Sequence, residues 1–420
     1  MSLLISESVG TVRHGTARHR LWIVFMLSLA FGGYLPEHGR AQNLDGLTEA
    51  QLEARVADLF ARSCAQAGCH AAPIPQQEMD LTRERFYASV VGVPSKEQPE
   101  LLRVKPGDPE HSYLIRKVKG DPTITGMQMP LTGDKLTAEE IALLETWVRR
   151  MEGVDPARRA AAPPPDPLPF AGWRVVNVPT TRGVPAGSVL FGIQHRFNPP
   201  LDTGYDTFFG LDGSGIILLS LGYAFSDDLF VTLGRSNAAD DVEVQAHYRL
   251  RRQRSEGMPL EVAARTTLNW ISEDVPGEGR FTKAAFKGTG QLILASEPAP
   301  GLGLAVAPGL TVNPSHESNA DDVLWTLGLA GRWRFHGNVS LLAEWTPILS
   351  GYTRTTTFGN ANRFDSWGGG IEIATAGHIF QIVVTNSVGL ATDQYLNGGD
   401  LDIRDGDLRL GFNIYRILTF

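Results

Sequence analysis

Two periods of apolar residues run along the chain, and one gives way to the other near residue 173. In the first half the spacing is helical. Leu52, Val56, Leu59 and Phe60 recur on one helix face behind Thr48 and Gln51, a capping-box pair. A second helix is predicted behind Thr137 and Glu140, with Ile141, Leu144, Trp147, Val148 and Met151 as its apolar stripe. In the second half the residues alternate. Val242, Val244, Ala246, Tyr248 and Leu250 share one face of a predicted strand, opposite Glu243, Gln245, His247 and Arg249. Leu260, Val262, Ala264, Leu268 and Trp270 oppose Glu261, Arg265 and Asn269. Trp325, Leu327, Leu329, Trp333 and Phe335 oppose Thr326, Arg332 and Arg334.

About twelve such segments of about ten residues follow one another, the length of a tilted membrane-crossing strand. Tight turns at Ser226-Asp227, Pro298-Ala299-Pro300, His336-Gly337-Asn338 and Ala376-Gly377 join them on one side, together with a longer connection at 251–258. Polar loops near 198–214, 272–287, 313–321, 352–363 and 387–406 join them on the other. That asymmetry predicts an antiparallel transmembrane β-barrel of about 12 strands over 173–420, with its turns and both of its ends in the periplasm. A soluble sandwich also alternates, but the opposed charges on the polar faces and the aromatic residues near strand ends favour the barrel. The inward set Glu243, His247, Arg249, Glu261, Arg265, Arg332, Arg334, Glu344 and Glu372 has two readings, a small polar pore or a narrow lumen cross-linked by ion pairs. The Pro/Ala stretch between the halves, within 154–172, predicts an extended and stiff linker.

Composition adds compartment and partners. The 45 glycines suit a region of many turns, and a net charge of −8 with pI near 5.7 gives no reason to expect a nucleic-acid partner. Basic residues from Arg13 to Arg20, the apolar run 21–31 and small residues around Ala41 read as a cleaved signal peptide over 1–41. The alternative is a membrane-anchoring helix, for which the run is shorter than the ~20 residues a bilayer needs. Export places the remaining chain in an oxidising compartment.

Candidate chemistry sits in one place. Cys64 and Cys69 are the only cysteines among 420 residues, and His70 directly follows the second. The usual covalent haem attachment pattern is C-x-x-C-H; here four residues separate the thiols. Two thiols can still add across the two vinyl groups of a haem, with the adjacent histidine held under the iron. The same cysteines can instead close a small disulfide loop. For a second iron ligand Met129 competes with Met127 and His111, and Pro130 favours Met129 by fixing the loop that presents its sulfur.

The attachment loop follows a helix and precedes Pro106-Gly107-Asp108-Pro109-Glu110-His111-Ser112-Tyr113-Leu114, then Gly126-Met127-Gln128-Met129-Pro130, then a Trp-bearing helix. In this order the stretch 45–152 resembles the class I cytochrome c fold, and more closely a bacterial subgroup with a PGDPxxSxL loop and a Met-Pro ligand. The resemblance implies a small all-α cytochrome c domain, 44–153, in which Cys64 and Cys69 carry one covalent haem c. His70 and Met129 would be the axial ligands of its iron, and Trp147 would pack at the haem edge. The barrel half resembles a family of bacterial barrel proteins of no assigned function through His195-Arg196-Phe197 and Gly377-His378-Ile379-Phe380-Gln381. Its last strand, 408–420, resembles the C-terminal signal strand of outer-membrane barrels, with Arg416 a poor fit.

Met/His ligation leaves the iron no open position, which argues for electron transfer over oxygen chemistry. A di-haem peroxidase would need a second attachment motif, and no further cysteine exists. P-loop, H-E-x-x-H and G-x-S-x-G patterns are absent from the sequence, so a catalyst with its own substrate is not indicated. The expected function is electron transfer by a mono-haem cytochrome tethered in the periplasm to a bacterial outer-membrane barrel, with membrane lipid and a periplasmic redox protein as partners. The plan is similar to fused cytochrome–porins that oxidise extracellular ferrous iron. A single haem beneath ~30 Å of hydrocarbon cannot span it, however, and a domain about 25 Å across does not enter a narrow lumen. The competing expectation is a transport or structural barrel with a disulfide-stapled periplasmic binding module.

Overall fold

The computed structural model describes residues 44–418 apart from 67, 72–73, 132, 274–278, 315–321, 352–362 and 376. The expected signal peptide, the Ala376 turn position and Phe420 lie outside the described residues.

Helical periodicity in the first half becomes α1 (Glu49–Ser63), α2 (Phe86–Val90), α3 (Tyr113–Lys119) and α4 (Ala138–Arg150). Both capping boxes form: Thr48 accepts from Gln51 N and Thr137 from Glu140 N, each with the return bond. Leu52, Val56, Leu59 and Phe60 on α1 meet Leu144, Trp147 and Val148 on α4 in a buried apolar core. The Pro/Ala stretch departs from the expected spacer. Asp155 caps a short helix, α5 (Pro156–Ala161), with Pro156 at its first turn. Arg158 stacks over the Tyr87 ring at 3.8 Å, and the Tyr87 hydroxyl accepts from Asp155 N at 2.9 Å. The first part of the linker is therefore packed against the helical module rather than extended.

Alternation in the second half becomes β1 (Val189–Phe197), β2 (Gly215–Ala224), β3 (Leu229–Ser236), β4 (Asp241–Arg251), β5 (Glu261–Ile271), β6 (Phe286–Ala299), β7 (Leu302–Val312), β8 (Val323–His336), β9 (Val339–Thr346), β10 (Ile348–Gly351), β11 (Ser366–Ala374), β12 (His378–Thr385) and β13 (Arg409–Leu418). Each pairs antiparallel with its neighbours, β1 with β13, and β9 and β10 both with β8. Since β9 and β10 are one strand broken at Pro347, the sheet is a closed barrel of 12 strands. Val189 opposes Leu418, so both ends lie at one mouth, together with the tight turns.

The polar faces are the buried ones. Glu243, Gln245 and His247 on β4, and Glu261, Arg265 and Asn269 on β5, are at most 5 % exposed, whereas Leu221, Leu233, Val244 and Leu268 are 44–59 % exposed. These four stand side by side across β2, β3, β4 and β5 as one apolar belt. Tyr223, Phe225, Tyr248, Trp333 and Phe335 ring the outside at the turn end. A water-soluble sandwich buries the opposite face, so this inversion identifies a lipid-facing wall. Arg334 is a correction to the inward set. Register shifts between Arg334 and His336 at the turn end of β8, and Arg334 is exposed.

The lumen is filled. Every residue of 170–184 and of 386–399 is buried. The first segment is a hairpin, closed by Val175 N donating to Val178 O and Thr180 N to Trp173 O. Its tip is held by Glu344, whose carboxylate accepts from the backbone N–H groups of Val176, Asn177 and Val178, each at 2.9 Å. Arg174 pairs with Glu243 at 3.0 Å, and Glu243 also accepts from Thr392 N at 2.7 Å, which ties in the second segment. Arg332 pairs with Glu372 at 2.8 Å. Of the two readings of the inward charges, the structure shows the ion-paired lumen.

Candidate functional site

The loop after α1 folds back on itself. Cys64 N and Ala65 N donate to Phe60 O to end the helix, Cys69 N donates to Gln66 O, and His70 N donates to Cys64 O at 3.2 Å. Thus the longer spacing between the cysteines is taken up within a closed turn that returns His70 to Cys64. Both cysteines are free thiols. Burial pushes the Cys64 thiol up to about 12, with Cys69 beside it contributing, and burial raises Cys69 as well.

His70 is 8 % exposed, and burial lowers its pKa below the ordinary value, favouring the neutral ring. Its Nδ1 lies 3.2 Å from the carbonyl oxygen of Gln76. A carbonyl only accepts, so this contact favours a proton on Nδ1, the tautomer whose Nε2 lone pair a metal would use, while the Met79 backbone also hydrogen-bonds the ring. The carbonyl is itself fixed. Gln76 N donates to Cys69 O at 2.7 Å, and buried Arg103 donates to the carbonyls of Gln77, Glu78 and Ser89.

Cys64, His70 and Met129 line one pocket of about 640 Å³ of empty space, part of it open to solvent. Phe60, Leu81, Leu114 and Val118 supply its apolar wall, and Glu97, Arg103, Tyr113 and Lys117 a polar one. Cys69, half-buried, adjoins His70 but is not part of the lining. Met127 is 69 % exposed, and His111 turns outward to Asp108 at 2.8 Å, so neither reaches the pocket. Met79 does reach it. No spacing pattern marks Met79 in the sequence. Trp147 is not at the pocket edge. It lies behind the wall, packed edge-on to Phe60 with ring centroids 6.2 Å apart.

Two thiols, a neutral imidazole, a thioether and an apolar wall form a donor set suited to a covalent haem with His/Met ligation. Among the described residues no cluster of three or more His, Cys, Asp or Glu forms an all-protein metal site.

The family described as "Membrane bound beta barrel domain (DUF5777)" matches residues 170–418. That match begins at the lumen hairpin. No curated protein matches the chain. Among solved structures, a NanC porin is 9 % identical, covering 56 % of this chain and 100 % of its own, with a TM-score of 0.34. The COG4313 outer membrane channel from Pseudomonas putida F1 is 12 % identical, covering 57 % and 98 %, with a TM-score of 0.34. Omp33 from Acinetobacter baumannii is 11 % identical, covering 57 % and 100 %, with a TM-score of 0.28.

Proposed function

The chain belongs to this family of membrane-bound β-barrel domains, and from that premise we propose that the barrel sits in a bacterial outer membrane and holds a haem-binding electron carrier in the periplasm. One observation carries the haem reading: Cys64, His70 and Met129 share a single pocket, with the buried His70 ring held by the Gln76 carbonyl. A haem held there supplies one-electron exchange at its iron.

The protein's own part is to bind, orient and exclude. The thiols of Cys64 and Cys69 would hold the haem covalently, through its two vinyl groups, beside the end of α1. The imidazole of His70 and the thioether of Met129 would be its iron ligands, a pair that suits electron transfer. The apolar side chains of Phe60, Leu81, Leu114 and Val118 would pack against the group and lower the local dielectric. The redox partner is a periplasmic protein.

A second reading, a transport or structural barrel with a disulfide-stapled binding module, has the more direct support in one respect. The family match bears on the barrel and not on the haem. Transport would require the filled lumen to open, and ion conductance by the wild type in a planar bilayer would favour it.

Haem staining of the denatured full-length protein separates the readings. Covalent haem in the wild type, lost in Cys64→Ser or Cys69→Ser, supports the carrier. Haem-free protein from a host competent in haem maturation sinks it, and an intact Cys64–Cys69 disulfide in that protein supports the second reading. Ferrous-iron oxidation by intact expressing cells tests the wider similarity to fused cytochrome–porins.

A further inference from the structure

Lys117 belongs to a helix of 7 residues, yet it is 9 % exposed and its side chain turns to the pocket wall. A buried ammonium costs free energy unless its donors are met. Here two contacts go to one loop and a third to Glu97. Lys117 Nζ donates to Thr125 O at 2.6 Å and to Met127 O at 3.4 Å, and pairs with Glu97 at 2.8 Å. The backbone of the same residue accepts from Met129 N at 3.0 Å. Tyr113, one helical turn earlier, accepts from Thr125 N at 3.0 Å and donates to Glu97 at 2.7 Å. Alternate residues 125, 127 and 129 are therefore all fastened to α3.

We propose that Lys117 is a positioning residue for the Met129 sulfur, its ammonium clamping the loop that presents the thioether to the haem iron. This rests on the haem reading. The clamp matters because a thioether is a weak, neutral ligand that holds an iron only when its loop is already in place. Without the ammonium, the Thr125 and Met127 carbonyls lose their shared donor. Its remaining ties are Met129 N, the Tyr113 hydroxyl, the Gln128 side chain donating to Val118 O at 2.8 Å, Gln98 donating to Thr125 Oγ1 at 3.4 Å, and Lys135 donating to Gln128 O at 3.1 Å and to Pro130 O.

The test uses the full-length, haem-loaded protein and its Lys117→Met and Lys117→Arg variants. Lys117→Met should keep covalent haem but lose the sulfur-to-iron charge-transfer band, bind added imidazole more tightly and show a lower midpoint potential. Lys117→Arg, which restores a donor, should recover the band. Lys117→Met with an unchanged band, potential and imidazole affinity overturns the clamp while leaving the haem reading intact. Wild type without haem overturns the haem reading and the clamp with it. Should Lys117→Met fail to load haem, Tyr113→Phe decides. It removes one hydroxyl from the same fastening, so a weakened band supports the clamp and an unchanged one overturns it.

Discussion

The helical module and the barrel use the same kinds of residue turned in opposite directions. In the module Leu52, Phe60 and Trp147 are inside, and charged groups such as Arg62 and Glu140 pair at the surface. In the barrel Leu221, Leu233, Val244 and Leu268 face outward, and Arg174, Glu243, Arg265 and Glu344 are buried. The module is held by removing apolar area from water. The barrel's apolar belt gains nothing from its interior, so its internal order rests on satisfying buried polar groups beside two apolar clusters, one around Val175 and Val178 and one around Trp173. Opposite substitutions should therefore break the two halves.

The largest effect is expected at Glu344. Its carboxylate accepts from three consecutive backbone N–H groups at the hairpin tip. Glu344→Ala leaves those donors buried and unmet, at a cost of about 3–5 kcal/mol, as for losing one side of a buried charged contact. The temperature at which the folded barrel loses its fast electrophoretic mobility should fall clearly. A mobility transition at the wild-type temperature would mean that the hairpin is held by its apolar contacts, Phe170, Val175 and Val178 on the alanine-rich wall.

Next comes the lipid face. Leu233 is 57 % exposed in the middle of the apolar belt. Leu233→Arg should cost about 2–4 kcal/mol, the price of a cation at mid-membrane depth. An arginine at an exposed leucine of a soluble domain is close to neutral. Urea unfolding in lipid vesicles reads the difference, and a neutral result would move this belt out of the hydrocarbon.

A smaller effect belongs to the module alone. Thr137→Ala opens the capping box of α4 and should cost about 1 kcal/mol. It should shift the helical circular-dichroism transition and leave the barrel's mobility transition where it was. Movement of both would show that the two halves unfold as one unit.

Much of this was legible in the sequence because alternation and helical spacing report which face is unlike the other. They do not report what lies on the far side of that face. The hairpin 170–184 was missed for that reason. Trp173, Val175 and Val178 look like part of another strand, and the inner wall that holds them, Ala263, Ile293 and Ala307 for the valines and Phe230 and Tyr415 for the tryptophan, is assembled only once the barrel has closed. Helix α5 was marked by Asp155 and Pro156, a cap and a first-turn proline, but the proline-rich composition around them pointed to a spacer. At the pocket, Cys64, Cys69, His70 and Met129 stood out through spacing. Arg103 and Lys117 did not, since a buried cation reads like a solvated one until its carbonyl partners are folded around it.

The smallest expected effect sharpens the comparison from the exposed side of the module. Lys105 and His111 hydrogen-bond the Asp108 carboxylate and hold its pKa well below the ordinary 3.8. A carboxylate whose folded pKa is depressed binds fewer protons than in the unfolded chain, so its stabilisation is complete above the ordinary carboxylate range and is lost as pH falls through it. Asp108 is open to solvent, so the contribution is small and screened by salt. Asp108→Asn should flatten the module's unfolding midpoint against pH below about pH 5, and added salt should flatten the wild type in the same way. Because the barrel's charges are buried and met by fixed partners, its mobility transition should be far less sensitive to the same salt. Equal salt dependence in the two halves would mean that water and ions reach the lumen.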